Sequence, residues 1–360
     1  MELTMPTNTY RGRLLVRKGN CRLIYKKGKL IFNNEEKSVI YNLAKYCTGL
    51  KRVGLNIRCL ERLLRLEPRC ACQVNDGFLV SWQGKVLKLY ENGDVDVEHI
   101  YREGMNNPIS MTKIHNISGF DDGIVYGEYW GNLSRNPVAI WQRNVDGQWK
   151  KKYEFPLGTI QHIHGILADN QNNRVLILTG DKNEESCIWE AKNNFQSIKK
   201  LIGGSQKYRS CVAFFYGNDI LYATDTPLEQ NYVYRYKIDT NEISEVLKLQ
   251  GPCIYGASFQ DEYGEQQYIF ITSVEPDASM HGWKYRLTYK LGKGISDRYS
   301  YINLLSSSGE KRVLMRGKKD LWPIWLFQFG NFRVAETDCG FAVTGQALKH
   351  YDERTLEFDI

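Results

Sequence analysis

No window of this 360-residue sequence approaches the roughly 18 consecutive apolar residues of a membrane-spanning helix, so a transmembrane segment is not expected. The first residues, MELTMPTNTYRGRLLVRKGN, lack an apolar stretch behind a basic one. They do not read as a secretory leader, and a cytoplasmic location is the expectation. The cysteines number nine, an odd count, and form no CxxC pair. Only Cys70 and Cys72 stand close, and on a strand they would share a face. That pattern argues against a zinc ribbon or a disulfide framework and for reduced thiols in a core. Linkers rich in Pro, Gly or Ser are absent, which makes residues 1–360 one domain. No arginine-rich tail or nucleic-acid module is recognisable, so a nucleic-acid partner is not expected. The formal net charge of +7 is a mild excess, from 48 basic against 41 acidic residues, and suits an anionic ligand. Clusters such as Lys150-Lys151-Lys152 fall beside turns, where solvated loops explain them.

What the chain does contain is aromatic and turn-forming. It has 23 Tyr, 8 Trp and 31 Gly, a composition that fits many short strands joined by tight turns. The segment 160-IQHIHGILADNQNNRVLILTGD-181 is echoed by 208-YRSCVAFFYGNDILYATDTP-227. Each is an apolar strand, a turn and a second apolar strand ending in polar residues. Similar units recur every 40 to 50 residues or so, the period of propeller blades. They begin near Cys70, Ile114, the HIH segment, Arg209, Ile254 and Trp325, and 21-CRLIYKKGKLIFNN-34 with KSVIYNL supplies a further unit. The expectation is an all-β fold, a single β-propeller of four-stranded antiparallel blades, seven in number with six as the alternative. Residues 42–69 read as a helical or loop insertion, and 291–310 as a long loop insertion.

In a propeller the first strand of each blade lines the central channel. Those strands are read as IHNISGF, HIHGILA, RSCVAFF, IYGASFQ and LFQFGNF. In an antiparallel meander the start of the first strand and the end of the second lie at one edge. The polar residues there should converge on one face of the axis: His115, Glu128, His162, His164, Asp181, Arg209, Thr224, Asp225, Thr226, Tyr255, Glu275 and Gln328. The competing explanation is that strand ends are simply polar, since Thr, Asp and Gly are ordinary turn formers.

His162 and His164, spaced i, i+2, would point to one face and grip one metal ion or one anionic group. A divalent metal would need a further ligand from His115, His281, Asp181 or Gln328. Without metal, a neutral imidazole can act as general base, and structural hydrogen bonding is the third reading. Arg209 suits a carboxylate or phosphate ligand, or else a salt bridge to Asp181 or Asp225. His162, His164, Asp181 and Asp225 are the candidate catalytic residues. His115, Glu128, Tyr129, Trp130, Arg209, Thr226, Tyr255, Glu275 and Gln328 are candidate substrate contacts, and the aromatic ones, with Trp283, could stack on sugar rings. Trp141 and Trp189 belong to outer strands and read as packing between blades.

The order HIHG, LTGD, GGSQKYR, YATDTP resembles that of bacterial BNR-repeat or sialidase-like propeller proteins of glycosyl-hydrolase type, some tied to surface-polysaccharide gene clusters. The resemblance covers roughly residues 110–290. It implies a propeller with a carbohydrate role but no assigned mechanism. The sequence departs from Asp-box repeats, reading EAKNNFQSI and RNVDGQW at the corresponding turns. Sialidases use three arginines, and only Arg209 falls on the expected face. The HIH pair is also similar to propeller-type uronate lyases with His-rich metal sites, without their full ligand pattern. The expected function is therefore to act on or bind an acidic glycan on the axial face, as hydrolase or lyase. A non-catalytic glycan-binding propeller and a protein-interaction scaffold are the alternatives. Nothing in the sequence bears on oligomeric state.

Overall fold

The computed structural model describes residues 5–338 and 340–359. Its strands form seven sheets, each a blade of a β-propeller. Blade I comprises Cys70–Val74, Gly77–Trp82, Lys85–Tyr90 and Val95–Ile100, and blade II Thr112–Ile114, Gly123–Gly127, Val138–Arg143 and Trp149–Phe155. Blade III runs His162–Asp169, Arg174–Gly180, Cys187–Lys192 and Ser197–Gly203, and blade IV Ser210–Tyr216, Asp219–Thr224, Asn231–Lys237 and Glu242–Leu249. Blade V holds Cys253–Gln260, Gln266–Thr272, Tyr299–Ser306 and Lys311–Lys318. Blade VI joins Asn331–Val334, Phe341–Gln346 and Arg354–Phe358 to Asn8–Arg11, and blade VII holds Arg13–Lys18, Cys21–Lys26, Lys29–Asn33 and Ser38–Asn42.

The second strand of a blade is covered by neighbouring blades on both faces, so it reads as an unbroken apolar run rather than an alternating one. Gly77–Trp82 and Arg174–Gly180 are buried at every position. Outermost strands such as Val95–Ile100 keep no residue fully buried. Trp189 packs on Phe155 of the preceding blade at 5.3 Å, and Trp141 on His99 at 5.2 Å. Both tryptophans thus pack between blades.

Ring closure uses both ends of the described chain. Asn8–Arg11 pairs antiparallel with Arg354–Phe358 as the outer strand of blade VI, and Glu336–Thr337 adds in parallel to Arg13–Lys18 of blade VII. Glu357, buried at the join, accepts from Tyr10 Oη at 2.8 Å and from Arg17 at 3.3 Å.

Residues 42–69 leave blade VII as a 3-10 turn and two short helices, Gly49–Gly54 and Arg58–Leu63. They are clamped to blade VI through Arg58, which pairs with Asp352 at 2.7 Å and also with Glu61 and Glu67. The insertion expected at 291–310 lies earlier. It occupies 273–298 and carries the helix Gly282–Leu287, because Tyr299–Ser306 is the apolar third strand of blade V.

Glu67 is the keystone of this clamp. Burial alone would raise its pKa, but Arg58, Arg333 and Arg13 hold its carboxyl down to about 2. A depressed carboxylate contributes stability that is present above the unfolded value near 4.5 and is lost as pH falls towards 2. Glu67→Gln should therefore cost about 3–5 kcal/mol at neutral pH, since it strips buried cations of their partner. Thermal melts across pH 2–7 check this: the variant should start lower and depend less on pH below about 4.5.

Candidate functional site

The first strand of blade III begins at His162, and the ladder slips between Ile163 and Gly165, leaving His164 at a β-bulge. Bulges re-aim side chains and occur often beside active sites. The same slip recurs at Cys211 in blade IV and Ile254 in blade V. Gly180 faces His162 across the ladder, and a Cβ there would meet His164 Cε1 at 2.6 Å. The glycine is what makes room for the second imidazole.

Both histidines are buried and locked by backbone carbonyls from the flanking blades. His162 Nδ1 lies 2.8 Å from Trp130 O, and His164 Nδ1 lies 3.0 Å from Ser210 O. A carbonyl can only accept, so each Nδ1 carries its proton and each neutral ring turns a bare Nε2 inward. The two Nε2 atoms are 3.0 Å apart, and Asp181 Oδ1 lies 3.1 Å from one and 3.6 Å from the other. Three lone-pair donors at such distances need a proton or a cation among them. Burial opposes ionisation of Asp181, yet Arg209 and the two imidazoles hold its carboxyl well below the usual range. Burial likewise lowers the pKa of His164, against the pull of Asp181. Tyr129 packs on the His162 ring at 4.4 Å.

Arg209 separates two carboxylates of different character. Its Nη2 is 3.0 Å from Asp181 Oδ1 and its Nε is 3.8 Å from Asp225 Oδ2. Asp225 accepts from the Cys211 thiol at 3.2 Å, while its Oδ1 has no protein partner. Burial raises the pKa of Asp225 well above the ordinary value, against Arg209 and with help from Glu275 and Asp181. Glu275 is raised by burial too and accepts from Ser273 Oγ at 2.5 Å. Two donor sets have the spacing for a metal ion: His162, His164 and Asp181, and His164, Cys211 and Asp225.

Beside this cluster lies an axial cavity of about 690 Å³, lined by Tyr129, Cys211, Asp225, Tyr255 and Gln328, with His162, His164, Asp181 and Arg209 set behind its lining. Arg65, Arg69 and Arg333 line it as well, with Glu67 as the carboxylate among them. Arg69 Nε and both Nε and Nη1 of Arg333 are buried without a hydrogen-bond partner, and so are the amide oxygens of Gln328 and Asn331. Burial and the neighbouring Arg333 pull the Arg13 guanidinium down to about 9. Arg69, Arg333 and Arg13 overcome the burial of Tyr255 and lower its pKa.

Of the residues expected to converge, His162, His164, Asp181, Arg209, Asp225, Glu275, Tyr129, Tyr255 and Gln328 do so. His115 does not. The strand of blade II ends at Ile114, so IHNISGF is its exit turn, and His115 pairs with Asp122 at the opposite face. Glu128 turns away from the axis to accept from Ala139 N at 2.9 Å and Trp141 Nε1 at 3.2 Å. Thr224 and Thr226 are consumed in a buried loop network with Asn231 and Gln206. Trp130 contributes its carbonyl, while Arg102 packs on its ring at 5.2 Å. His281 is exposed at the start of the helix Gly282–Leu287, outside both donor sets, and Trp283 beside it is exposed. LFQFGNF proves to be mostly the loop before Asn331–Val334, with Gln328 in that loop. Arg69, Arg333, Asn331 and Cys211 were not anticipated. The first and last had a signal: PRCAC and YRSCV both place an arginine just before the innermost strand.

No protein-family model matches the chain, and no curated protein does. Solved structures with similar folds include "AfRom2 CNH domain", at TM-score 0.51 and 6% identity over 98% of this chain and 95% of that one. A "functionally unknown protein" from Desulfotomaculum acetoxidans aligns at 0.48 and 9% over 91% and 90%. "Oligogalacturonate lyase in complex with manganese" aligns at 0.47 and 8% over 97% and 99%. At such identities the similarity concerns the fold.

The electrostatics can be tested in solution. His164 should remain neutral below its ordinary pKa near 6.5, because burial disfavours the imidazolium. Arg209→Gln removes a nearby positive charge and should raise the His164 pKa, whereas Asp181→Asn should lower it. Histidine NMR titrations check both directions.

Proposed function

We propose that this protein is a carbohydrate-active propeller that takes an acidic glycan into its axial cavity. The observation that carries this reading is the pairing of unpartnered groups on the cavity wall. Gln328 and Asn331 offer free amide acceptors beside Arg69 Nε and Arg333 Nε, which lack hydrogen-bond partners, while Arg333 Nη1 faces Glu67 at 3.2 Å. Acceptors of that kind suit hydroxyls, and forked donors suit a carboxylate. A ligand rich in hydroxyls and bearing a carboxylate satisfies both, and Tyr129 and Tyr255 give its rings flat apolar surfaces.

The chemistry follows from carboxyl groups driven apart in pKa, the pattern that assigns acid and base roles. Asp225, whose carboxyl burial raises well above the ordinary range, is the proton donor facing the cavity. Asp181 stays ionised and keeps a proton or a cation on the two imidazoles. A divalent metal fits the donor set of two neutral imidazole nitrogens and a carboxylate oxygen. When bound it would supply Lewis acidity towards a substrate carboxylate. His162 and His164 would hold that centre through Nε2, oriented by their Nδ1 hydrogen bonds. A second reading, a non-catalytic glycan-binding propeller, is favoured by the 3.0 Å contact in which Arg209 already occupies Asp181.

A panel of acidic and neutral oligosaccharides, assayed for binding and turnover, tests this. Arg333→Met should weaken binding of acidic glycans selectively. Asp225→Asn should lower turnover by about 10²–10⁴-fold while leaving binding nearly intact, the range expected for loss of an acid–base group. Equal affinity for neutral and acidic chains would sink the acidic-glycan assignment, and binding without turnover would favour the second reading.

Metal analysis of purified protein addresses the other half. Stoichiometric Mn, Ca or Zn lost in His164→Ala is the expected result for the metal version. Full turnover in chelator, with no metal bound, would remove it.

A further inference from the structure

Three segments beyond what the blades need for closure, 43–69, 273–298 and 319–330, lie at the site end of the propeller, and the first and last of them line the cavity. They are tied into one surface. Arg62 Nη1 pairs with Asp320 at 2.6 Å, and Arg65 donates to Trp325 O at 2.8 Å. The guanidinium groups of Arg65 and Arg286 lie 5.1 and 5.3 Å from the Trp325 ring, and Ile324 N donates to Thr288 O at 3.3 Å.

This surface presents isolated large apolar side chains to solvent. Leu50 is 61% exposed, Val53 55%, Trp283 71%, Leu321 87% and Trp322 51%. Among them stand the exposed cations Lys51, Arg52, Lys284, Arg286 and Lys293. The acidic residues of the three segments are all engaged within the protein. Glu61 and Glu67 pair with Arg58, Glu275 with Ser273, Asp277 with Lys290, Asp297 with Tyr301 and Asp320 with Arg62.

The opposite face has the reverse character. Its turns, which join first to second and third to fourth strands, carry Asp76, Asp94, Asp121, Asp146, Asp239 and Glu262 among other acids. Lys37 is the one Lys or Arg in them. The molecule is thus polarised in charge along its axis; Val145 and Tyr263 are exposed on the acidic turns, but the grouping of exposed apolar side chains with cations belongs to the basic end.

We propose that the mouth-side face docks on an anionic lipid bilayer. Exposed Leu, Val and Trp interleaved with Lys and Arg match the chemistry of a membrane interface, where apolar tips enter the headgroup boundary and cations meet acidic lipid. Electrostatic attraction of a soluble polyanion would account for the cations alone, and a protein partner is the competing occupant that the vesicle and self-association measurements separate from a bilayer. The acidic turns on the far side orient the approach, since they are repelled by the same surface. This docking goes beyond the glycan reading and does not depend on turnover.

Sedimentation of the full chain with vesicles tests it without any glycan. Binding is expected to vesicles of phosphatidylcholine with phosphatidylglycerol, not to phosphatidylcholine alone, and should weaken as salt rises. Lys51→Glu with Arg52→Glu should reduce partitioning about tenfold or more, from the loss of surface cations. Leu50→Ser with Trp283→Ser should also reduce it several-fold, at unchanged melting temperature. No binding to anionic vesicles would overturn the proposal. So would binding indifferent to the apolar variant, or self-association through these residues in sedimentation velocity.

Discussion

The site depends on two hydrogen bonds between blades. Trp130 O from blade II and Ser210 O from blade IV take the Nδ1 protons of the two imidazoles that blade III contributes. Those contacts fix the tautomers, and the tautomers fix what the site can hold: two bare Nε2 atoms and an ionised Asp181 at hydrogen-bonding distance. No single blade could produce this arrangement. It exists only when three adjacent blades are packed, so ring closure, the bulge at His164 and the absence of a side chain at Gly180 all serve the same few ångströms.

The axis is also where charge is handled in the least solvent. Arg13, Arg58 and Arg333 gather around Glu67, and a buried guanidinium without a full set of acceptors, as at Arg13 Nε and Arg333 Nε, is costly. On the other side of the cavity, Arg209 divides its attention between Asp181 and Asp225. The closer contact is to Asp181, which stays ionised, while Asp225 is left to the effects of burial and of Glu275 and rises. Arg209 draws both carboxyl groups down, and at Asp225 burial and Glu275 outweigh it, so the two shift in opposite directions. That asymmetry, more than the presence of acidic residues as such, distinguishes the two carboxyls.

Much of the fold was legible because blades write themselves locally. An apolar run, a turn and a second run ending in LTGD or ATDT fix a pair of strands with no long-range information. The start of a strand is harder to read. IHNISGF looks like HIHGILA, yet in blade II the strand ends at Ile114 and the histidine lands on the far face, because only the preceding loop determines where pairing begins. Glu128, Thr224 and Thr226 stood at the right strand ends but turned outward, towards neighbours that sequence cannot rank: Ala139 N, Asn231 and Gln206. Arg333 was hidden for the converse reason, lying within a short strand after a long loop, with an environment assembled from blades VI and VII and the segment that carries Glu67. Axial residues at the strand ends of legible blades, such as His162, His164, Asp181 and Arg209, were readable, and those such as Arg333 and Asn331, set by a long loop and by other blades, were not.

The same distinction bears on how a glycan would reach the cavity. Blades present the histidine and carboxylate cluster, while the insertions at 43–69, 273–298 and 319–330 carry exposed apolar and basic side chains at that end. Arg65 belongs to both worlds. It lines the cavity with Arg69, and it holds Trp325 of the neighbouring insertion through carbonyl and ring. Burial and the adjacent Arg69 and Arg333 lower its pKa to about 10, so it remains charged at neutral pH while leaning on an aromatic surface that tolerates a cation. Arg65, Arg69 and Arg333 thus put positive charge into the same cavity that Asp225 lines.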